Sequence, residues 1–240
     1  MKLVRTLFFY SIVILIGIVT ILPCMLFALL PEKIRYDNRL YYWFMCIFYR
    51  VTVWALFLPI KIIGQENLPH VPAIIAVNHQ SALDIPLVGN VLHCYPNIWF
   101  FKHELLSVPF FGFLGKRMGI SVDPSTPQRA LASLRKALKI FDGKKKRDLV
   151  IFPEAGRYTD GNIHEFLSGF SLLAKKTQTA VVPILIKNIN KVYPPGNFYI
   201  NYSAITIIIG KPFRVEPHES DSVFTERVRA WFIHNNTTME

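Results

Sequence analysis

The sequence predicts an α/β fold in which a mostly parallel central sheet is flanked by helices and preceded by an N-terminal hydrophobic two-helix membrane motif. Residues 1–60 are dominated by two long apolar stretches, which we assign to membrane-anchoring helices. Residues 61–240 instead alternate short apolar runs with amphipathic segments, a pattern typical of an α/β domain. Polar clusters follow several of those runs, at the strand ends where such domains place their sites. Only 18% of the 240 residues are charged and 52% are hydrophobic, which excludes a disordered chain.

The first apolar stretch, residues 7–30, contains no charged side chain. A helix of that length rises about 36 Å, which exceeds the ~30 Å hydrocarbon core of a bilayer. A cleaved signal peptide is the alternative, but its apolar part is shorter, and residues 28–31 offer no small-residue cleavage site. The stretch therefore predicts an uncleaved anchor. Basic residues flank it on both sides, so the charge pattern leaves open whether it spans the bilayer or inserts from one side.

The second apolar stretch, residues 40–60, carries Arg50 near its middle. A lone arginine at the centre of a bilayer costs about 2.5–3.5 kcal/mol on insertion scales, so we expect a shallow, interfacial or re-entrant helix. The many aromatic side chains of this stretch also favour the headgroup boundary. The formal net charge of +11 indicates anionic phospholipids or a phosphorylated substrate as partners. No nucleic-acid-binding motif accompanies that charge, so we expect no nucleic-acid partner.

After residue 60 the short apolar runs predict strands, because several are rich in the valine and isoleucine of buried strands. The predicted strands cover residues 73–77, 98–101, 120–122, 149–152, 180–186, 198–202 and 205–209. Thr126 followed by Pro127 predicts the start of a helix that ends near Gly143. Its expected buried face comprises Leu131, Leu134, Leu138 and Phe141. The basic run after it, residues 144–147, predicts a solvated loop, with contact to anionic lipid as the alternative.

The cysteines and histidines indicate neither a disulfide framework nor a metal centre. Cys24, Cys46 and Cys94 are far apart, and no C-x-x-C pair occurs. The possible nitrogen and oxygen ligands show no zinc-site spacing; they are His79, Asp84, His93, His103 and Glu104. We therefore expect no metal and no cofactor.

A polar cluster follows the first predicted strand and begins at Asn78. His79 and Asp84 lie five residues apart in it, so a turn before a helix near Ser81 lets the carboxylate reach one imidazole nitrogen. The other nitrogen is then free to act as a base. A surface or capping histidine is the alternative for so short a motif.

Two more polar clusters end later strands. Residues 152–157, Phe-Pro-Glu-Ala-Gly-Arg, place Glu154 and Arg157 directly after a buried strand. The planar guanidinium of Arg157 suits a phosphate, although a structural ion pair with Glu154 is the alternative. Lys102 follows another strand and is either a second phosphate contact or a solvated charge.

As an ordered set, these three clusters resemble the motifs of the 1-acylglycerol-3-phosphate acyltransferase family, the glycerolipid acyltransferases with a His-x4-Asp motif. The residues that carry the resemblance are His79 with Asp84, Lys102 with Glu104, and Phe152, Pro153 and Glu154 with Arg157. The resemblance covers about residues 60–215 and implies that residues 61–240 form a glycerolipid acyltransferase domain. The hydrophobic helices in front also look like those of bacterial members.

The resemblance also implies roles for individual residues. His79 is the general base, and Asp84 is the carboxylate that orients it. Lys102 and Arg157 contact the phosphate of the acceptor, while Glu154 and Gly156 belong to the third, substrate-binding motif. Residues 182–184, Val-Pro-Ile, match the fourth motif, which helps shape the site.

The chain departs from the family pattern at three places. Ala155 and Gly156 stand where the family commonly has Gly-Thr, and Pro124 stands where it has an arginine. Ser168 stands where a lysine usually precedes the glycine. Because fewer cations are available near the acceptor, the identity of its head group stays open. The departures affect the reaction type less.

The implied activity is acyl transfer from acyl-CoA or acyl carrier protein, as co-substrate, to the free hydroxyl of lysophosphatidate, giving phosphatidic acid. A base that takes the hydroxyl proton contributes typically about 10²–10⁴ in rate. Direct transfer is favoured over a covalent intermediate because no G-x-S-x-G elbow occurs, although Ser81 stays a candidate nucleophile. Backbone amides near Gly156 are candidates for the oxyanion hole.

Two other functions stay open on the sequence. A lysophospholipid acyltransferase or transacylase with a head-grouped acceptor would fit the missing cations, whereas a membrane-anchored lipid-binding protein would keep the fold without catalysis. A serine hydrolase would require the serine elbow that is absent. We expect the protein at a bacterial cytoplasmic membrane with its site facing the cytoplasm, since the acyl donor comes from there.

Overall fold

The computed structural model of the protein describes residues 2–123, 125–141 and 147–238. Pro124 and the three lysines of the basic run lie outside these ranges, so the predictions made for them stay untested. The helices are α1 (Lys2–Ala28), α2 (Glu32–Arg35), α3 (Arg39–Trp54), α4 (Asp84–Val91), α5 (Phe111–Met118), α6 (Pro127–Ile140), α7 (Gly169–Thr177), α8 (Ile189–Val192) and α9 (Asp221–Thr237). The strands are β1 (Ile60–Ile63), β2 (Ile74–Val77), β3 (Asn97–Lys102), β4 (Ile120–Val122), β5 (Asp148–Ile151), β6 (Val181–Lys187) and β7 (Ile205–Ile209).

The strands of the described ranges form one sheet in the order β1-β7-β6-β2-β5-β3-β4. Every neighbouring pair is parallel except β6 and β7. Ile75 of β2 pairs with Val150 of β5 on one side and with Val182 of β6 on the other. The predicted α/β fold with a mostly parallel sheet is therefore confirmed. The carboxyl ends of β2, β3, β5 and β6 lie at one edge of this sheet.

The sheet separates two apolar clusters, and β2 contributes to both. Ile74 and Ala76 point into a cluster shared with helices α6, α7 and α9. Ile75 and Val77 point into the second cluster, which contains residues of α4. Because both faces of β2 are covered, all of its residues are buried. This burial explains why the strand reads as a continuous apolar run.

Helix α3 packs on the domain that follows it. A Cβ added at Gly89 of α4 would lie only 2.2 Å from the ring of Tyr49, so the two helices are in close contact there. The Tyr42 hydroxyl of α3 also donates to the Asn97 carbonyl of β3 at 3.3 Å. The second membrane-motif helix is therefore part of the folded domain.

The cysteines correct one expectation from the sequence. Cys46 of α3 and Cys94, just after α4, form a disulfide. They lie 48 residues apart in the sequence, and their spacing gives no sign that α3 packs on α4. Cys24 is free and buried in α1.

Helix α1 has one buried face and one exposed apolar face. Buried positions recur at helical spacing; they are Thr6, Phe9, Gly17, Thr20, Cys24 and Ala28. On the other face Leu15 is 66% exposed and Leu26 is 69% exposed. Within the described ranges α1 is long and apolar enough to cross a membrane, by length and composition only.

Both ends of α1 contact the α/β domain. Near its start, the Thr6 hydroxyl accepts a hydrogen bond from the Ile200 N–H at 3.0 Å. Near its end, Cys24 and Ala28 lie in the apolar cluster shared with α6, α7 and α9, and α1 also packs against α5. Both ends of the helix are therefore held against the domain.

The predicted strand at residues 198–202 is wrong, because this segment is an irregular loop between α8 and β7. Its backbone groups are engaged by the start of α1: the Tyr10 hydroxyl donates to the Phe198 carbonyl at 3.0 Å, and the Ile200 N–H donates to Thr6. In this segment, hydrogen bonds to side chains of α1 take the place of hydrogen bonds to a neighbouring strand.

The helix predicted from Thr126 is α6. The Thr126 hydroxyl accepts from the Arg129 N–H at 3.3 Å, as expected of a capping residue. The helix ends at Ile140, and Gly143 itself lies outside the described ranges. Leu131, predicted to be in the core, is 46% exposed, because the last turns of α6 make the core contacts.

Candidate active site

The two main polar clusters meet at the carboxyl edge of the sheet. His79 follows β2 and Glu154 follows β5, and these strands are adjacent and parallel. Asp84 is the first residue of α4, so its carboxylate lies at a helix N-terminus, where negative charge is favoured. The structure therefore joins His79, Asp84, Glu154 and Arg157 in one site.

His79 and Asp84 form a hydrogen-bonded pair. His79 Nδ1 lies 2.8 Å from Asp84 Oδ2; the Asp84 side chain is fully buried and that of His79 is 13% exposed. The N–H groups of Gln80 and Ser81 donate to the same oxygen at 2.8 and 2.9 Å. These contacts fix Oδ2 as the acceptor of the Nδ1 proton, so the lone pair of the ring is on Nε2.

Asn78 anchors the loop that carries His79. Its side chain donates to the Ile186 carbonyl at 3.0 Å and accepts from the Ile186 N–H at 2.8 Å. An amide side chain has the donor and the acceptor that a backbone peptide would have supplied to β6 at this point. Asn78 is a positioning residue, and no pattern in the sequence indicates this role.

Two side chains of the 152–157 segment cover the imidazole. The Phe152 ring stacks on His79 with their centroids 3.9 Å apart and 20° between their planes. Arg157 Nε donates to His79 Nε2 at 3.0 Å. The sequence predicted Nε2 to be free, whereas in the structure it accepts a hydrogen bond from the guanidinium. The stacking of Phe152 was missed because a phenylalanine at the end of a strand is typical of core packing.

Glu154 holds two loops together. One carboxylate oxygen accepts from the His79 N–H at 2.9 Å, and the other accepts from the His164 N–H at 3.0 Å. Glu154 is buried, and this burial raises its pKa, while the two N–H groups act in the opposite direction. Backbone groups engage both oxygens, so Glu154 holds the His79 loop in place in this structure, and the substrate-binding role implied by the family resemblance stays a prediction.

The segment after Glu154 is held beside the loop that carries His79. The Tyr158 N–H donates to the His79 carbonyl at 3.2 Å. Ala155 has a φ of 51°, in the left-handed region that favours glycine, and it stands where the family has one. A Cβ at Gly156 would lie 2.9 Å from the ring of the exposed Tyr158, so a larger residue here would displace that side chain.

Lys102 and Ser81 have different surroundings from the residues above. Lys102 ends β3 at the same edge of the sheet and is exposed, with β5 between β3 and β2. Ser81 is fully buried, and its hydroxyl donates to the Tyr193 carbonyl at 2.6 Å. Its burial and hydrogen bond make Ser81 a poor nucleophile. Among the described residues, no three His, Cys, Asp or Glu side chains are grouped as metal ligands would be.

Comparison with known proteins identifies relatives of similar sequence. The family model described as Acyltransferase matches residues 59–187, more than half of the chain. A 1-acyl-sn-glycerol-3-phosphate acyltransferase of Saccharomyces cerevisiae is 33% identical over 187 residues, which cover 76% of this chain and 61% of that protein. A protein of the same name from Pseudomonas aeruginosa is 28% identical over 214 residues, covering 85% of this chain and 78% of that protein.

Some of these relatives are longer proteins. The match spans 61% of the yeast protein and 44% of a chloroplastic 1-acyl-sn-glycerol-3-phosphate acyltransferase of Arabidopsis thaliana, which is 32% identical over 160 residues and matches 65% of this chain. Among solved structures, a 1-acyl-sn-glycerophosphate acyltransferase of Thermotoga maritima has the same fold. It is 23% identical, has a TM-score of 0.77, and the match covers 99% of this chain and 97% of that one.

The matched range contains the whole candidate site. His79, Asp84 and Lys102 lie within residues 59–187, as does the 152–157 segment. On the family match, and with the paired histidine and aspartate at the edge of an α/β sheet, the chain belongs to the acyltransferase family.

Proposed function

We propose that the protein transfers a fatty acyl group from an acyl thioester to the free hydroxyl of 1-acylglycerol-3-phosphate and so forms phosphatidic acid. The observation that carries the proposal is the His79–Asp84 pair, which lies beside the Arg157 guanidinium at the edge of the sheet. The names of the yeast and Pseudomonas relatives support this choice of reaction.

In this mechanism His79 acts as the general base. The acceptor hydroxyl attacks the thioester carbonyl carbon while its proton passes to His79 Nε2. The Asp84 carboxylate keeps its hydrogen bond to Nδ1–H and stabilises the imidazolium. The C–S bond then breaks, and the proton passes from Nε2 to the leaving sulfur. A thiol with an ordinary pKa of about 8.5 is a good leaving group, so His79 returns to its neutral form without further help.

The proposed transfer is direct, without a covalent acyl-enzyme. Ser81, the nearest serine to the base, is buried and hydrogen-bonded to the Tyr193 carbonyl. Cys24 is buried in α1, and Cys46 and Cys94 are joined to each other. None of these side chains is a suitable nucleophile. Since the thioester is already activated, the reaction requires no cofactor, and acyl-CoA or acyl carrier protein is the co-substrate.

The phosphate of the acceptor is assigned to Arg157, with Lys102 as a second contact. A phosphomonoester matches the planar fork of an arginine, and the hydrogen bonds are charge-assisted. Lys102 is exposed at the same edge of the sheet and is free to reach a ligand that lies over β5. The head group of the acceptor is therefore selected on the side of the site opposite Asp84.

We also propose that the protein binds one side of a membrane. Both ends of α1 contact the α/β domain, so a spanning α1 would carry parts of that domain into the hydrocarbon. With α1 in the plane of the interface, its exposed apolar face meets lipid and the acceptor reaches the site from the bilayer. We assign the site to the cytoplasmic face, where the acyl donor is.

The test is acyl transfer from an acyl-CoA to a panel of lysolipids in detergent. We expect the kcat/KM for lysophosphatidate to exceed that for lysophosphatidylcholine and lysophosphatidylethanolamine about tenfold or more, because a charge-assisted hydrogen bond contributes ~1.5–3 kcal/mol. A preference for head-grouped acceptors would instead support a lysophospholipid acyltransferase, which the serine at position 168 favours. The absence of thioester-dependent product with every acceptor would support a lipid-binding role.

A further inference from the structure

The nitrogen that must act as the base is occupied in the structure. His79 Nδ1 is bonded to Asp84, so Nε2 carries the one lone pair of the ring, and Arg157 Nε donates into it at 3.0 Å. A base must lie within hydrogen-bond reach of the proton that it removes. A single lone pair cannot accept from the guanidinium and from a substrate hydroxyl at the same time. The Arg157 side chain must therefore leave Nε2 before the reaction.

The side chain is free to move, whereas the backbone that carries it is fixed. The Tyr158 N–H is bonded to the His79 carbonyl, and the Ala155 N–H is bonded to the Phe152 carbonyl. The Arg157 side chain is exposed, and within the described ranges it makes no ion pair with a carboxylate. Rotation of this one side chain therefore uncovers Nε2 without rearranging the loop.

A phosphate is a stronger partner for a guanidinium than an imidazole lone pair is. The bond to the ring is a single hydrogen bond to a neutral acceptor, whereas a phosphomonoester accepts two parallel charge-assisted bonds. A lysolipid that carries a phosphomonoester therefore draws the Arg157 side chain away from His79 more strongly than a lysolipid without one.

We propose that Arg157 determines acceptor specificity by blocking His79 Nε2 until a phosphomonoester draws the guanidinium away, so that one side chain both binds the phosphate and releases the base. This inference rests on the proposed function. The same block protects the bound thioester when no acyl acceptor is present. Water could attack the carbonyl carbon, give its proton to Nε2 and release fatty acid and thiol, but the blocked nitrogen prevents that proton transfer.

Two substitutions separate the hydrogen bond from the charge. In glutamine the side-chain nitrogen is bonded to Cδ, as Nε is in arginine, so Arg157→Gln keeps a donor for Nε2 and loses the guanidinium. Arg157→Met has a similar length and no donor. Acyl-CoA hydrolysis without acceptor is measured for both variants and the unsubstituted protein. We expect Arg157→Met to hydrolyse about tenfold faster or more, within the ~10²–10⁴ that a positioned base supplies, and Arg157→Gln to stay slow.

Methyl phosphate tests the release directly, because it carries a phosphomonoester but no hydroxyl to acylate. We expect it to accelerate acyl-CoA hydrolysis by the unsubstituted protein and to leave Arg157→Gln unchanged. Equal hydrolysis by the two variants, together with no effect of methyl phosphate, would overturn the proposal. These assays contain no lysolipid, so their outcome is independent of whether lysophosphatidate is the acceptor.

A chemical measurement keeps the proposal testable where hydrolysis is too slow to follow. Diethylpyrocarbonate modifies an imidazole nitrogen whose lone pair is available, and mass spectrometry resolves the modified residue. We expect His79 to react slowly in the unsubstituted protein and in Arg157→Gln, and several-fold faster in Arg157→Met. The exposed His70 and His218 are internal controls with equal rates in all three proteins. A His79 rate in Arg157→Met no higher than in Arg157→Gln would refute the block.

Discussion

At the scale of single residues, three buried carboxylates have different partners and different roles. Asp84 accepts from the His79 imidazole and from two backbone N–H groups, so it orients the base. Glu154 accepts from two backbone N–H groups and joins the His79 loop to the His164 loop. Asp148 lies at the start of β5, and its carboxylate accepts from the Ala73 N–H at 2.9 Å. The first two serve the site, and the third is remote from it.

Glu154→Gln tests the positioning role. A glutamine has one acceptor oxygen, so its NH₂ group would face the N–H of His79 or of His164. We expect kcat to fall about tenfold or more with little change in the KM for the acceptor, because the base is displaced while the phosphate contacts stay. Steady-state kinetics on both substrates measure this split. Exposed Glu165→Gln is the matched control, and a change confined to KM would indicate a direct substrate contact.

Asp148 makes stability depend on pH. Burial raises its pKa from 3.8 to about 7, so the folded state holds the proton more tightly than the unfolded chain does. The free energy of unfolding is therefore expected to decrease as the pH rises through this window, by a few kcal/mol at ~1.4 kcal/mol per unit of pKa. Asp148→Asn keeps an acceptor for Ala73 and removes the charge. Its melting temperature should exceed that of the unsubstituted protein at pH 8, and the difference should shrink at pH 5; equal differences at both pH values would contradict this assignment.

At the scale of elements, the ends of β2 and β5 and the start of α4 build the site, and α3 supports α4 from behind. Tyr49 of α3 packs directly on Gly89 of α4. Asp84 begins the same helix, so the packing of α3 fixes the carboxylate that orients His79. The membrane motif therefore contributes to the geometry of the site as well as to anchoring.

Gly89→Ala tests this contact between helices. The added Cβ would lie 2.2 Å from the Tyr49 ring, so α3 and α4 must move apart. We expect a loss of about 1–3 kcal/mol in the free energy of unfolding, typical of overpacking. Gly169→Ala in α7 is the matched control, because its Cβ would meet no atom within 4 Å. Equal melting temperatures for the two variants in detergent would show that the contact is unimportant.

The elements also show what the sequence predicts well and what it does not. Buried parallel strands such as β2 were predicted because both of their faces are covered and the run is apolar throughout. The 198–202 segment has the composition of a strand, but side chains of α1, nearly 200 positions away, engage its backbone. The pairing of His79 with Asp84 follows from local spacing, whereas the contact between His79 and Arg157 depends on the adjacency of β2 and β5. Local patterns therefore predict elements and short motifs, and tertiary packing decides the rest.

At the scale of the whole molecule, a patch of exposed aromatic side chains continues the apolar face of α1. This aromatic patch comprises Phe8, Trp54, Phe57, Phe198, Tyr199 and Tyr202. The rings are in contact within two groups: Phe57 contacts Phe8 and Trp54, and Phe198 contacts Tyr199; the Phe8 and Phe57 centroids lie 5.5 Å apart. Lys2 lies over the Tyr199 ring at 4.9 Å and Arg5 over the Tyr202 ring at 5.4 Å. Aromatic and basic side chains together are typical of a membrane interface.

The aromatic patch predicts a membrane contact outside the two N-terminal helices. We expect Phe198→Ser with Tyr202→Ser to weaken binding to vesicles containing anionic phospholipid about tenfold, because two apolar rings no longer enter the interface. Co-sedimentation with vesicles measures the partition constant. Val223→Ser on α9 is the control, since Val223 is equally exposed but lies outside the patch. If the double variant binds as tightly as the control, this loop does not touch the membrane.

The measurement that bears most directly on the reaction is acyl transfer from acyl-CoA to lysophosphatidate by His79→Ala. In the proposed mechanism the proton of the acceptor hydroxyl passes to His79 Nε2, and a positioned base contributes about 10²–10⁴ in rate. We expect kcat to fall by at least 10²-fold, while the control His70→Ala, at an exposed histidine, keeps the activity of the unsubstituted protein. Full activity of a correctly folded His79→Ala would contradict the assignment of His79 as the base and with it the proposed mechanism.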